Sequence, residues 1–289
     1  MPFRNGVNSM FDSIMLYFSY PFIRYAFVVG ILVSLSASLL GVVLVLRRFS
    51  LMGEGLSHVA FGALAIAMPL QLTNNMMVIL PLTILCAVML LYRGEKVKLQ
   101  GDAMIALISV SSLGLGYLLI HLFSRSANLS GDVCTVLFGS TSILTMTPEK
   151  IRWSVILSIG VVVIFILIYD RIFAITFDEE FATGTGIPTG VYHLLMAIII
   201  AVIIVLGMDL VGSLLITALI ILPALSAMSI WKSFFRVTVF AVAFAVLGTG
   251  SGLLLSIVTG TPVGPTIVAV DIFLFGICSL IGRRGGFSL

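Results

Sequence analysis

The chain has 289 residues, is 60% hydrophobic and only 9% charged, and has a mean hydropathy of +1.25, where soluble domains carry roughly a quarter charged residues. That composition excludes a water-soluble fold, and a formal charge of +3 is too small to be a nucleic-acid footprint, so no nucleic acid is expected as a partner. The expectation is an all-α polytopic integral membrane protein, multi-pass in the cell membrane and in contact with the lipid bilayer, forming one transmembrane domain over residues 1–289.

Residues 1–24 are mildly amphipathic, lack a cleavable secretory pattern, and predict a retained interfacial segment. Tyr25–Leu46 is an uncharged run of 22 residues closed by Arg47 and Arg48, and a second apolar segment runs from about Ser50 to Leu70. Met76–Tyr92 ends at a loop with Arg93, Lys96 and Lys98, and Ala103–His121 leads into a polar stretch. The short Gly- and Thr-rich segment Val133–Thr145 is expected to be re-entrant. Trp153–Tyr169 is a further span, and 170–189 is the longest polar interruption. Val191–Met208 and Leu210–Trp231 are divided only by Asp209, which is expected in a short outer turn. Val237–Val270 is too long for one helix and is cut by "GTPVGP", after which a last span carries Asp271 to Arg283 and Arg284. The count is eight to ten spans. Placing 47–48, 93–98, 170–189, 232–236 and 283–284 in the cytoplasm satisfies the positive-inside rule almost throughout.

The stretch "GEGLSHVAFG" places Glu54 and His58 four residues apart. A helix rising about 1.5 Å per residue from an interface at Arg48 would carry His58 roughly 15 Å deep, near mid-membrane. Residues four apart share a helix face, so one oxygen and one nitrogen donor would point the same way, a set suited to first-row divalent ions such as zinc or manganese. A second reading also stands: Glu54 complements a helix N-terminus, and His58 satisfies a carbonyl on a neighbouring helix. Asp209, Asp271, His121 and His193 are weaker candidates, and Asp102 and Asp132 read as helix-start residues. Cys86, Cys134 and Cys278 are scattered in apolar stretches and suggest packing, not disulfides. Clusters such as "LGLG" (113–116) and "GTGSG" (248–252) suggest close helix packing. No Gly-x4-Gly-Lys-Ser/Thr is present, so the chain has no nucleotide site of that kind and no catalytic residue is assigned.

In "FDEEFATGTGIP", Phe177 and Phe181 lie four apart, with Asp178, Glu179 and Glu180 beside them and Gly184, Gly186 and Pro188 as stop signals. This predicts a short cytoplasmic helix with an aromatic face, either a solvated connection or a docking helix for a partner's groove.

The motifs "LRRFSLMGEGLSHVAFGALAIA", "LFGSTSIL", "TFDEEFATGTGIP", "VGSLLITALIILPALSAM" and "GTPVGPTIV" resemble, in order and over nearly the whole chain, the permeases of zinc- and manganese-type ABC importers. The resemblance implies a homodimer of permeases, two cytoplasmic ATPase subunits that hydrolyse ATP, and an extracytoplasmic metal-binding protein. It also implies a transported zinc or manganese ion at Glu54 and His58, with no permanent cofactor, and a coupling segment over Asp178–Gly186. Glu54 stands where that family usually has Asp. A proton-coupled secondary metal transporter, and an ABC permease for a siderophore or cobalamin, are the rival expectations.

Overall fold

A computed structural model describes residues 19–68, 75–94, 101–123, 136–139 and 148–284. Its helices are α1 (Pro21–Leu46), α2 (Ser50–Ala67), α3 (Met76–Gly94), α4 (Gly101–Phe123), α5 (Pro148–Leu167), α6 (Tyr169–Phe177), α7 (Glu179–Gly184), α8 (Thr189–Val211), α9 (Ile216–Met228), α10 (Phe234–Thr259) and α11 (Val263–Arg284). Among the described residues, six stretches, within α1, α4, α5, α8, α10 and α11, are long and apolar enough to cross a membrane, and α2, α3 and α9 contribute shorter apolar helices. α1 starts at Pro21, where a proline costs no helical hydrogen bond, so Arg24 lies on the first helix. Residues 1–18 of the expected interfacial segment lie outside the described residues, as does most of 133–145.

α1 and α8 run through the middle of the bundle. α1 packs on α5, α9 and α10, while α8 joins α1 to α2 and α3; α4 lies against α2, and α11 against α9 and α10. Between helices already in lipid there is no hydrophobic drive, so contact relies on small residues and internally satisfied polar groups. The serines of α1 illustrate the second device: Ser34, Ser36 and Ser38 each donate to a carbonyl of their own helix, and Ser36 Oγ also lies 3.2 Å from the Ser158 carbonyl of α5. The first device is used where helices nearly touch. A Cβ on Gly41 would stand 2.0 Å from the Ile220 carbonyl oxygen of α9, and one on Gly248 would stand 1.8 Å from Asp271 Oδ1. The expected role of "LGLG" and "GTGSG" holds for Gly116, Gly248 and Gly252, whereas Gly114 and Gly250 face open space.

Two expectations are corrected. The break between the spans around Asp209 does not fall at that residue, because α8 continues helically to Val211. The chain turns at Gly212, whose φ of +88° suits only glycine, and there the amides of Ser213 and Leu214 donate to the carbonyls of Val136 and Leu137. The second correction concerns 177–181, which is not one helix. Asp178 is extended (φ −151°, ψ 96°) and separates α6 from α7.

The C-terminal end of α1 at Arg47, α6–α7, the start of α8 and the start of α10 gather at one end of the bundle. Arg47 pairs with Glu179 and His193, and Phe234 lies 5.3 Å from the rings of Tyr169 and Phe173. Gly41→Ala should cost about 1–3 kcal/mol through overpacking against α9. Gly114→Ala, with nothing to meet inside α4, should stabilise by up to about 1 kcal/mol through helix propensity. Thermal unfolding in detergent measures both, and equal midpoints would contradict the close α1–α9 contact.

Candidate functional site

The turn that delivers α2 is tightly made. After α1, Phe49 N–H donates to the Leu44 carbonyl at 2.8 Å and Arg48 N–H to the Val45 carbonyl at 3.1 Å, the paired closure of a Schellman turn. Its left-handed position is held by Arg48 at φ +60°, where glycine is usual. α2 therefore starts in a fixed direction, and Glu54 follows one turn inside it.

Neighbouring helices cover two strips of α2. Gly53 lies against Thr217 and Ile220 of α9, while Gly55 and Gly62 lie against Ile105 and Ser112 of α4. With about 100° between successive residues, Glu54 and His58 fall between those strips. The Glu54 side chain is 55% exposed and that of His58 only 5%, with Oε1 and Nε2 3.9 Å apart. That is too long for a hydrogen bond. Two donors each about 2.1 Å from one ion can stand up to about 4.2 Å apart, so the separation permits both to donate to one dication. His58 Nδ1 is buried and makes no hydrogen bond within the described residues. Glu54 lies beyond the first turn of α2, which carries no acidic residue. Among the described residues, no group of three or more His, Cys, Asp or Glu side chains could hold a metal ion. The pair would need donors from elsewhere.

The weaker candidates are scattered. Asp271 is buried with Oδ2 unpartnered among the described residues, and its other oxygen lies on the bare backbone of α10 at Gly248. His121 is exposed in the last turn of α4. Cys86 and Cys278 are unbonded.

At the other candidate region, the Asp178 carboxylate caps α7 by accepting from Phe181 N–H at 2.8 Å. Phe177 and Phe181 are 59% and 66% exposed, and Asp178 and Glu180 are exposed beside them. Gly184 closes α7, and Gly186, at φ +85°, allows Ile187 N–H to reach back to the Ala182 carbonyl at 3.1 Å. Ile187 and Ala182 are buried together with Ile175. Glu179 departs from its neighbours by facing inward, where it pairs with Arg47 and lies 2.7 Å from His193 Nε2. The sequence singles out no site role for Arg47 and makes His193 only a weaker candidate, because their partner is 132 and 14 positions away with no local pattern to join them.

Residues 19–282 match a family model described as the ABC 3 transport family. The chain is 30% identical to the "High-affinity zinc uptake system membrane protein ZnuB" of Buchnera aphidicola over 245 residues, covering 85% of this chain and 92% of that protein. It is 26% identical to the "Manganese transport system membrane protein MntC" of Halalkalibacterium halodurans, covering 98% and 94%. Among solved structures, "PsaBC from Streptococcus pneumoniae in complex with Fab" superposes with a TM-score of 0.81 at 25% identity, covering 94% of this chain and 95% of that one.

Joint donation by the pair predicts a non-additive pattern of metal loss. Glu54→Gln and His58→Ala should each weaken zinc binding to the solubilised protein by about tenfold or more, which is about 1.4 kcal/mol. The double variant should be little worse than either single one. Losses that simply add would show that the two side chains do not share an ion.

Proposed function

The chain belongs to the ABC 3 transport family, and from that premise we propose that it is the membrane permease of an ATP-driven importer for a divalent transition-metal ion, zinc first and manganese second. The observation that carries the reading is the α2 pair, a half-open carboxylate and a buried imidazole within reach of one ion. The relatives named for zinc and for manganese support the cargo class, and the imidazole nitrogen favours zinc between the two. Two donors per chain suit transient binding, since an ion must also leave.

The nine apolar helices α1–α5 and α8–α11 serve as the spans on this reading, within the expected eight to ten. If 133–145 does not cross, the chain enters the cytoplasm after α1, α3, α5, α9 and α11, at Arg47–Arg48, 93–98, 170–189, 232–236 and 283–284, as the positive-inside rule requires. α6–α7 is then cytoplasmic, and the exposed Phe177, Asp178, Glu180 and Phe181 form the docking face for an ATPase subunit. Two permeases would form a homodimer with two ATPase subunits, receive the ion from an extracytoplasmic binding protein, and bring the open strip of α2 to a shared pathway.

In proteoliposomes holding the permease with its ATPase subunits, zinc or manganese should stimulate ATP hydrolysis, and His58→Ala should cut that stimulation about tenfold. Metal uptake driven by a pH gradient without ATPase subunits, or equal stimulation of parent and variant, would overturn the reading.

A further inference from the structure

Glu179 begins α7, the helix whose outer side carries the exposed aromatic pair, yet its own side chain turns into the bundle. There it closes a ring. Arg47 donates through Nη2 to Glu179 Oε2, Arg47 Nη1 stands 3.2 Å from His193 Nδ1, and His193 Nε2 stands 2.7 Å from Glu179 Oε1. A guanidinium can only donate, so His193 Nδ1 must accept and the proton must be on Nε2, pointing at Glu179. One arrangement of protons therefore satisfies all three contacts, with the imidazole neutral. All three side chains are partly buried, which strengthens their attraction relative to a surface pair.

Each corner belongs to a different part of the molecule. Arg47 caps the end of α1 and Glu179 opens α7. His193 lies in the first turns of α8. Arg47 also lies within the Schellman turn into α2, as the C-cap of α1, and its guanidinium carbon lies 5.8 Å from the centroid of the Phe49 ring in that turn. From Glu179 to Glu54 the connection is thus one ion pair, one hydrogen-bonded turn and the first turn of α2. A cleft walled in part by Val43, Leu44, Met52, Ile172 and Ile175 opens beside the ring.

We propose that Glu179 is a positioning residue and not a docking one: with Arg47 and His193 it ties α7 to the α1–α2 turn, so that displacement of α7 moves the start of the helix bearing Glu54 and His58. This rests on the reading of α7 as the ATPase contact. It splits the helix into an outer side that meets the partner and an inner side that passes the movement on.

The test uses the reconstituted complex of permease and ATPase subunits, with two readouts: ATPase subunits retained on purification, and the ratio of zinc-stimulated to unstimulated hydrolysis. Phe181→Ala should lose the ATPase subunits. Glu179→Gln should retain them while the ratio falls at least fivefold. The exchange Arg47→Glu with Glu179→Arg keeps one carboxylate and one guanidinium around an imidazole whose tautomer simply reverses, and should recover at least half of the parent ratio. Should Glu179→Gln fail to fold, His193→Gln carries the same expectation of retained subunits and a lowered ratio. Loss of the ATPase subunits from Glu179→Gln would make it a docking residue and overturn the proposal, as would an unchanged ratio or an exchange variant no better than the single ones. A parent complex with no zinc stimulation would instead count against the permease reading on which the proposal rests.

Discussion

A carboxylate and an imidazole carried into the interior of an apolar helical bundle must each meet a partner or a polar opening, because hydrocarbon offers neither. The rest of the molecule is arranged around how α2 answers that demand. Glycines on two of its strips bring α9 and α4 close, which seals most of the helix, and the strip between them is left for Glu54 and His58. His58 is enclosed without a hydrogen bond at Nδ1 among the described residues, while the Glu54 side chain is half-exposed. On the proposed reading that asymmetry is functional, since an exposed acid can attract a cation and a buried nitrogen can help strip its water. An isolated ion pair at this depth would be poor evidence for stability in any case.

The polar groups at the end of the bundle follow a different rule. Arg47, Glu179 and His193 satisfy one another in a closed ring and hold three segments together, whereas Glu54 and His58 stand 3.9 Å apart without a hydrogen bond. Among the described residues, one constellation is complete and the other is not. That contrast separates a structural linkage from a place where something else is expected to bind, and it puts the linkage at the root of the helix bearing the incomplete pair.

Much of this was legible from local pattern. Apolar runs bounded by Arg and Lys marked the long helices, because span length and composition are set by the bilayer. The i,i+4 relation of Glu54 and His58 survived into the structure because it depends only on helical pitch. The exposed Phe177 and Phe181 were also visible, but the extended Asp178 between them was not, since its capping bond to Phe181 N–H competes with continuing the helix. The turn at Gly212 was misplaced to Asp209 because hydropathy registers charge, whereas the chain reverses where a positive φ is affordable. The ring lay beyond sequence reading altogether. Its corners are 132 and 146 positions from Arg47, and only packing brings them together.

The central claim is that Glu54 and His58 are donors to one passing dication, and pulsed electron paramagnetic resonance of manganese bound to the membrane-embedded permease tests it most directly. The account predicts nitrogen modulation from a directly bonded imidazole in the parent, abolished in His58→Ala. An identical nitrogen signal in the variant, or no imidazole coordination in the parent, would contradict it.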